Sequence, residues 1–310
     1  MKRHHSERER RKARRRKRIL ITILVICLTL LGIILGSFFY VFGGLNTTSL
    51  PTDNDSLGIR PETTTRSGIV NIALFGVDAR DGSDHGRSDA IIILSVDNEH
   101  DKIKLTSILR DSKVPIEGHG ETKINHAYAY GGPTLAIKTL NQNFDLNIKE
   151  YATVNFDQMA SIVDAVSGVT MELSEEEAQI VGVNSGAVLL NGSQAVTYTR
   201  IRYIDSDNAR ADRQKNVLTA VFEKLKTMSK ADYPKFIHDF LSVVETSLSY
   251  GDLIGLSPIM LKSNLQFVQN SIPDTTDNPQ GGIASDGVWY WNYDLDAASA
   301  RLHQIIYETE

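Results

Sequence analysis

Apolar residues cluster in three runs, Ile69–Phe75, Ala90–Val96 and Ile103–Leu109, each of strand length and rich in β-branched side chains. The first two are apolar enough to be buried on both faces of a sheet. Glu150–Val154 and Val169–Leu173 read as further short strands. Between them the period changes from two to 3.6. Gly131-Gly132-Pro133 predicts a helix start followed by Leu135, Ile137, Leu140 and Phe144, and Phe156–Val166 carries Met159, Ile162, Val163 and Val166 on one face until Gly168. The strongest pattern begins near Asp212 and runs through Val217, Leu218, Val221, Leu225 and Met228. Beyond Ser229 the pattern weakens. Helices are expected at Tyr233–Leu248 and Pro258–Val268, a loop at Pro273–Gly287, an aromatic strand at Trp289–Tyr293 and a last helix from Ala297. Strands alternating with helices in this way predict an α/β domain with helices packed on a central sheet.

A different pattern precedes that domain. Ile19–Phe42 is 24 uncharged, mostly apolar residues, about 36 Å long as a helix and enough to span a bilayer. Phe38, Phe39 and Tyr40 stand where a cleavage site would need small residues, so the segment reads as an uncleaved anchor. Residues 2–18 hold eleven Lys or Arg against two Glu, which leaves a formal −14 for the rest of a chain whose total is −5. Such a basic run could be a nucleic-acid-binding arm, but beside a span it fits membrane topology and lipid headgroups better. The expected organisation is a cytoplasmic tail at 1–18, a single transmembrane helix at 19–42, a solvated linker at 43–68 and an extracytoplasmic domain at 69–310. Cys27, the only cysteine, lies in the span and excludes an intrachain disulfide.

Zinc-ligand spacings, a phosphate-binding Gly-rich loop with Lys-Ser and a Gly-x-Ser-x-Gly elbow are all missing from the sequence. What remains is charge at strand ends, where α/β sheets bind ligands. Asp78 follows the first strand and Asp89 opens the second, so the two converge across one loop. Two such carboxylates suit Mg²⁺ or Mn²⁺, or merely cap turns. Arg110 and Asp111 end the third strand, where Asp111 reads as a salt-bridge partner of its neighbour. Arg200 and Arg202 share one side if their segment is extended. Arg210, Arg213 and Gln214 open the strongest helix, whose N-terminus itself favours anions. Five Arg in an otherwise acidic domain predict an anionic partner, and planar guanidinium forks suit a pyrophosphate.

These residues sit in motifs that closely resemble the LytR-CpsA-Psr family of bacterial cell-wall proteins. The motifs are GVDAR, GRSDAIIILSVD, SILRD, KINHAYAYGG, VDAVSGV, LNGSQAVTYTRIR and ARADRQ, in order over residues 69–228. The resemblance implies a central mixed sheet flanked by helices, with an apolar tunnel for a polyprenyl chain. It implies that Arg87, Arg110, Arg200, Arg202, Arg210 and Gln214 contact the pyrophosphate while Asp78 and Asp89 hold Mg²⁺; Arg213 joins this set by its position alone. Leu109 stands where Pro is common in the family. The implied activity is transfer of a glycopolymer (teichoic acid, capsular or related polysaccharide) from an undecaprenyl-pyrophosphate carrier to a peptidoglycan hydroxyl. Arg110, Arg200 and Arg202 would stabilise charge on the transferring phosphate, and Asp89 or Asp78 would help activate the acceptor. Hydrolysis of a polyprenyl pyrophosphate and membrane-bound regulation of envelope genes are the alternatives, and no nucleic-acid partner is expected.

Overall fold

The computed structural model describes residues 46–63, 68–77, 86–202, 207–229, 242–248 and 264–308, with a few single positions besides. Among these, seven strands form a mixed sheet in the order β1-β10-β7-β2-β3-β4-β11. They are β1 (Asn46–Thr47), β2 (Ile69–Val77), β3 (Ser88–Asp97), β4 (Lys102–Ile108), β7 (Glu150–Val154), β10 (Glu245–Thr246) and β11 (Gln266–Ile272). The two hairpin-linked pairs β2/β3 and β3/β4 are antiparallel, while β2/β7 and β4/β11 are parallel. Consequently the ends of β2, β4, β7 and β11 and the start of β3 share one edge of the sheet. Three two-stranded ribbons lie outside it: β5 (Lys113–Ile116) with β6 (Gly120–Lys123), β8 (Val169–Leu173) with β9 (Gly186–Leu190), and β12 (Gln280–Ile283) with β13 (Trp289–Asn292).

Strand alternation sends Ala73, Phe75, Ile91 and Ile93 to one face, where α1 (His126–Phe144) and α6 (Leu295–Tyr307) cover them with Ile137, Leu140, Leu302 and Ile306. Ile92, Val96, Ile103 and Leu105 face the other side, against Leu218 of α5 (Asp207–Thr227) and Phe267 of β11. A separate small core joins β8 and β9 to α2 (Phe156–Ala165), α3 (Glu175–Val181), α4 (Gly192–Thr199) and α5. Helices α2, α3 and α4 each begin with a capping box, Asn155/Gln158, Ser174/Glu177 and Asn191/Gln194, which satisfies the free N–H groups of the first turn.

At the sheet end opposite the strand-end edge, buried Lys104 donates to Asp97 (2.8 Å) and to the backbone oxygen of Ile306 (2.7 Å), tying α6 to the β3–β4 hairpin. Asp97, His100 and Glu308 converge there, but the Lys104 ammonium, 3.0 Å from Glu308, already supplies the positive charge.

The structure corrects several expectations. Residues 46–63 are part of the domain and not a linker: β1 joins the sheet, and Leu57 and Ile59 are core residues held by the Asn141 side chain on the Leu57 carbonyl (2.8 Å) and by Arg60 and Thr63 on Asp145. The helix start expected at Gly131-Gly132-Pro133 holds: non-helical Gly131 and Gly132, the latter at φ +60°, separate a short first segment of α1 from the helix that begins at Pro133. The helices expected up to Leu248 and Val268 give way to strands at Glu245–Thr246 and Gln266–Ile272, because open sheet edges beside β7 and β4 offer ladder partners that outweigh local propensity. Gln280–Ile283, expected as loop, is a strand. The tail at 1–18 and the span at 19–42 lie outside the described residues but for Thr29; no described helix is long and apolar enough to cross a membrane.

Candidate active site

Arg110 leaves β4 at the shared sheet edge. The preceding Leu109 is buried and its N–H donates to the Ile272 carbonyl (2.8 Å), so the backbone that carries Arg110 is fixed by β11. The guanidinium donates from Nη1 to Asp89 Oδ1 (2.9 Å) at the start of β3 and from Nε to Asp111 Oδ2 (3.3 Å). Asp111, largely buried, is paired again by Lys123 (2.7 Å), which confirms it as a structural partner. Arg202 reaches to 4.0 Å of Asp89 Oδ2.

Across from this strand wall stands α5. Arg210 and Gln214, one turn apart on the same helix face, line a cleft together with Asp89, Arg110, Asp111, Ser107 and Trp291. Arg110, Arg210 and Gln214, expected at the pyrophosphate, and Asp89, expected at the metal, therefore meet in one place. Buried Lys215 locks this face of the helix to the sheet by donating to the Asn270 carbonyl (2.6 Å) and Ser271 Oγ (2.9 Å) of β11.

Two expectations do not hold as geometry. Arg213 turns from the cleft into the small core, where it donates to Glu177 (2.7 Å) and lies over Tyr198. Arg200 does not share an extended segment with Arg202: it caps α4 in helical conformation (φ −98°, ψ −1°) and stacks 4.5 Å over the Phe156 ring. Phe156 follows β7, so Arg200 still lies by the strand-end edge. Asp78 falls outside the described residues.

The site also holds residues to which the sequence assigned no role. Lys123 and His126 lie within the KINHAYAYGG motif but without a spacing that marks them. Burial, and after it the charges of Arg87 and Lys123, push the His126 imidazole below its ordinary value, which places exposed Arg87 in the same positive field. A neutral His126 accepts or exchanges a hydrogen bond with Thr122 (2.9 Å). Trp291 enters from β13, whose N–H donates to the Asp111 carbonyl (2.9 Å). A cleft with two opposed walls of guanidiniums, an amide and one partly exposed carboxylate can grip a diphosphate from both sides and steady charge on it.

Residues 42–305 match the model of the LytR_cpsA_psr family. The chain belongs to this family. A polyisoprenyl-teichoic acid–peptidoglycan teichoic acid transferase TagU from Oceanobacillus iheyensis is 38% identical over 234 residues, 72% of this chain and 70% of that one. Among solved structures, TagT bound to LI-WTA superimposes with a TM-score of 0.68 at 26% identity, covering 84% of this chain and 99% of that one. A LytR-CPS2A-psr family protein with bound octaprenyl pyrophosphate lipid gives 0.64 at 25% identity over the same shares. The family expected from the motifs is thus established, and so is its mixed sheet flanked by helices.

Proposed function

We infer that the chain is a transferase that moves a teichoic acid or related glycopolymer from a polyprenyl-pyrophosphate carrier to peptidoglycan. The observation that carries this reading is the convergence of Arg110, Arg210 and Gln214 on one cleft, with Asp89 paired to Arg110 in it. The relatives' names supply the substrates: TagU relatives are teichoic acid transferases, and a structural neighbour holds octaprenyl pyrophosphate.

In the reaction, an acceptor hydroxyl attacks the sugar-bearing phosphorus, a new P–O bond forms, and the P–O bond to the polyprenyl phosphate breaks. Polyprenyl monophosphate leaves. The guanidiniums of Arg110 and Arg210 neutralise charge on the two phosphates, with Arg87, Arg202 and Arg200 extending the positive field. Asp89 or Asp78 would take the hydroxyl proton.

Asp89 also fits a divalent cation: it is the partly exposed carboxylate of the described cleft, and a hard oxygen donor beside phosphate is what Mg²⁺ or Mn²⁺ takes. Asp78 and Asp89 would hold the ion, which would supply further charge neutralisation on the pyrophosphate.

The carrier's tail needs an apolar path. Half-buried Leu74, Leu94, Leu218 and Phe267 supply apolar surface between the sheet and α5, along which a tail would lead away from the cleft, and this supports a polyprenyl tunnel on that side of the sheet. A membrane anchor at 19–42, with the tail at 1–18 in the cytoplasm and the domain outside, would bring that path to the bilayer where the carrier resides.

The test is to give the purified full-length protein in detergent a labelled lipid-linked polymer, with and without peptidoglycan fragments. Acceptor-dependent transfer is expected. Release of polymer to water alone, unaffected by acceptor, would replace the transferase reading with hydrolysis, and no turnover would leave regulation as the better account.

A further inference from the structure

The β12–β13 hairpin presents an apolar face that begins inside the cleft and runs outward. Trp289 and Trp291 are two residues apart on β13 and so share one face, opposite Ile283 and Gly281 of β12. The two indoles meet edge to face at 4.8 Å. Both lean over Gly281, where a Cβ would come within 2.7 Å of Trp289 and 3.0 Å of Trp291; the bare backbone makes room for the rings. Trp291 lines the cleft beside Arg110, and its buried Nε1 has no hydrogen-bond partner among the described residues. Ile283, at the outer end, is 74% exposed.

The hairpin is firmly held. Trp291 bridges Ser112, directly after the Arg110-Asp111 pair, and Tyr290 on the other face is buried with its hydroxyl on Asp286 (2.8 Å). An aromatic pair fixed in this way is a stacking platform at a constant distance from the phosphate-binding Arg.

The Lys113 ammonium beside the hairpin, 6.0 Å over the Tyr290 ring, is neutralised by Glu121 (2.9 Å) and leaves no free charge for a phosphate. The donor already has guanidiniums for its diphosphate and apolar surface for its tail. The acceptor offers a pyranose ring with an apolar C–H face and no phosphate, which suits an aromatic surface.

We propose that the Trp289–Trp291–Ile283 face is a subsite for a pyranose ring of the peptidoglycan glycan strand, stacked so that its hydroxyl meets the phosphate held by Arg110. This rests on the transferase reading above.

The two tryptophans of this hairpin are the only ones in the chain, so intrinsic fluorescence reports on the subsite directly. Titrating the full-length protein in detergent with peptide-free glycan fragments of peptidoglycan should give a saturable change in emission. In transfer assays, Trp289→Ala and Ile283→Asp should each raise the acceptor KM roughly threefold to tenfold, the size of one lost aromatic or apolar contact, with Trp289→Phe close to wild type. The donor KM and the acceptor-free release of polymer should stay unchanged. An unchanged acceptor KM in both variants, or a rise in donor KM instead, overturns the assignment. If Trp289→Ala does not fold, exposed Ile283→Asp decides alone. Wild-type protein that binds the glycan but transfers nothing counts against the transferase reading and not against the subsite.

Discussion

Replacing Arg110 by Ala removes a guanidinium that reaches the cleft from the sheet wall and touches both Asp89 and Asp111. Its side chain is 22% exposed, and its partners are not left alone: Asp111 keeps Lys123 at 2.7 Å and Asp89 keeps Arg202 at 4.0 Å. The cost to the fold should therefore be that of a partly exposed ion pair, about 1 kcal/mol or less. That corresponds to a fall in Tm of roughly 2–4 °C in a domain of this size. The cost to transfer should be much larger, because a fixed donor on developing phosphate charge contributes on the order of 10²–10³ in kcat. Arg110→Lys keeps the charge but loses the planar fork, and should recover only part of the rate. The assay is single-turnover transfer from labelled lipid-linked polymer, with calorimetry on the same preparations. Turnover by folded Arg110→Ala within roughly threefold of wild type would refute the role given to this residue.

Other expectations can be checked alongside. Asp89→Asn should slow transfer and weaken stimulation by added Mg²⁺ after chelation with EDTA; an unaltered metal response would remove Asp89 from the proposed cation site. Gly192→Ala puts a Cβ 2.1 Å from the Ala160 carbonyl oxygen, so α2 and α4 must part; overpacking of this kind costs about 1–3 kcal/mol, to be read by denaturant titration. Burial alone would raise the Asp97 carboxyl, but hydrogen bonds from Lys104 and then from His100 pull it down to about 2. Because the folded value lies below the unfolded one, its contribution of about 2 kcal/mol is present above pH ~4 and is lost as the pH falls towards 2. Asp97→Asn should flatten that part of the acid-unfolding curve.

Much of the sheet was legible because β2, β3 and β4 are buried strands whose apolar runs need no context. The cleft was legible for the same reason: charges placed directly at the ends of such runs must emerge at one edge. Arg213 shows where spacing misleads. It lies one residue before Gln214, and about 100° of helical rotation turns one side chain to the cleft and the other to Glu177. Arg200 and Arg202 part because the condition for their sharing a side, an extended segment, fails: the capping box Asn191/Gln194 starts a short helix that ends at Arg200. Strand β11, QFVQNSI, mixes polar and apolar residues in no clean period; its form depends on the open edge of β4, which no local pattern reports. Leu57 and Ile59 belong to the core through contacts with α1, whose Asn141 is 84 residues from Leu57 in the chain.

Because Arg110 comes from the sheet while Arg210 and Gln214 come from α5, the cleft is a seam between two separately built walls. A bound diphosphate that accepts hydrogen bonds from both walls would clasp one to the other. The substrate thereby acts as a rivet of the fold, and the protein carrying its lipid should resist heat and proteolysis better than the protein stripped of it, by an amount that grows with the logarithm of ligand concentration.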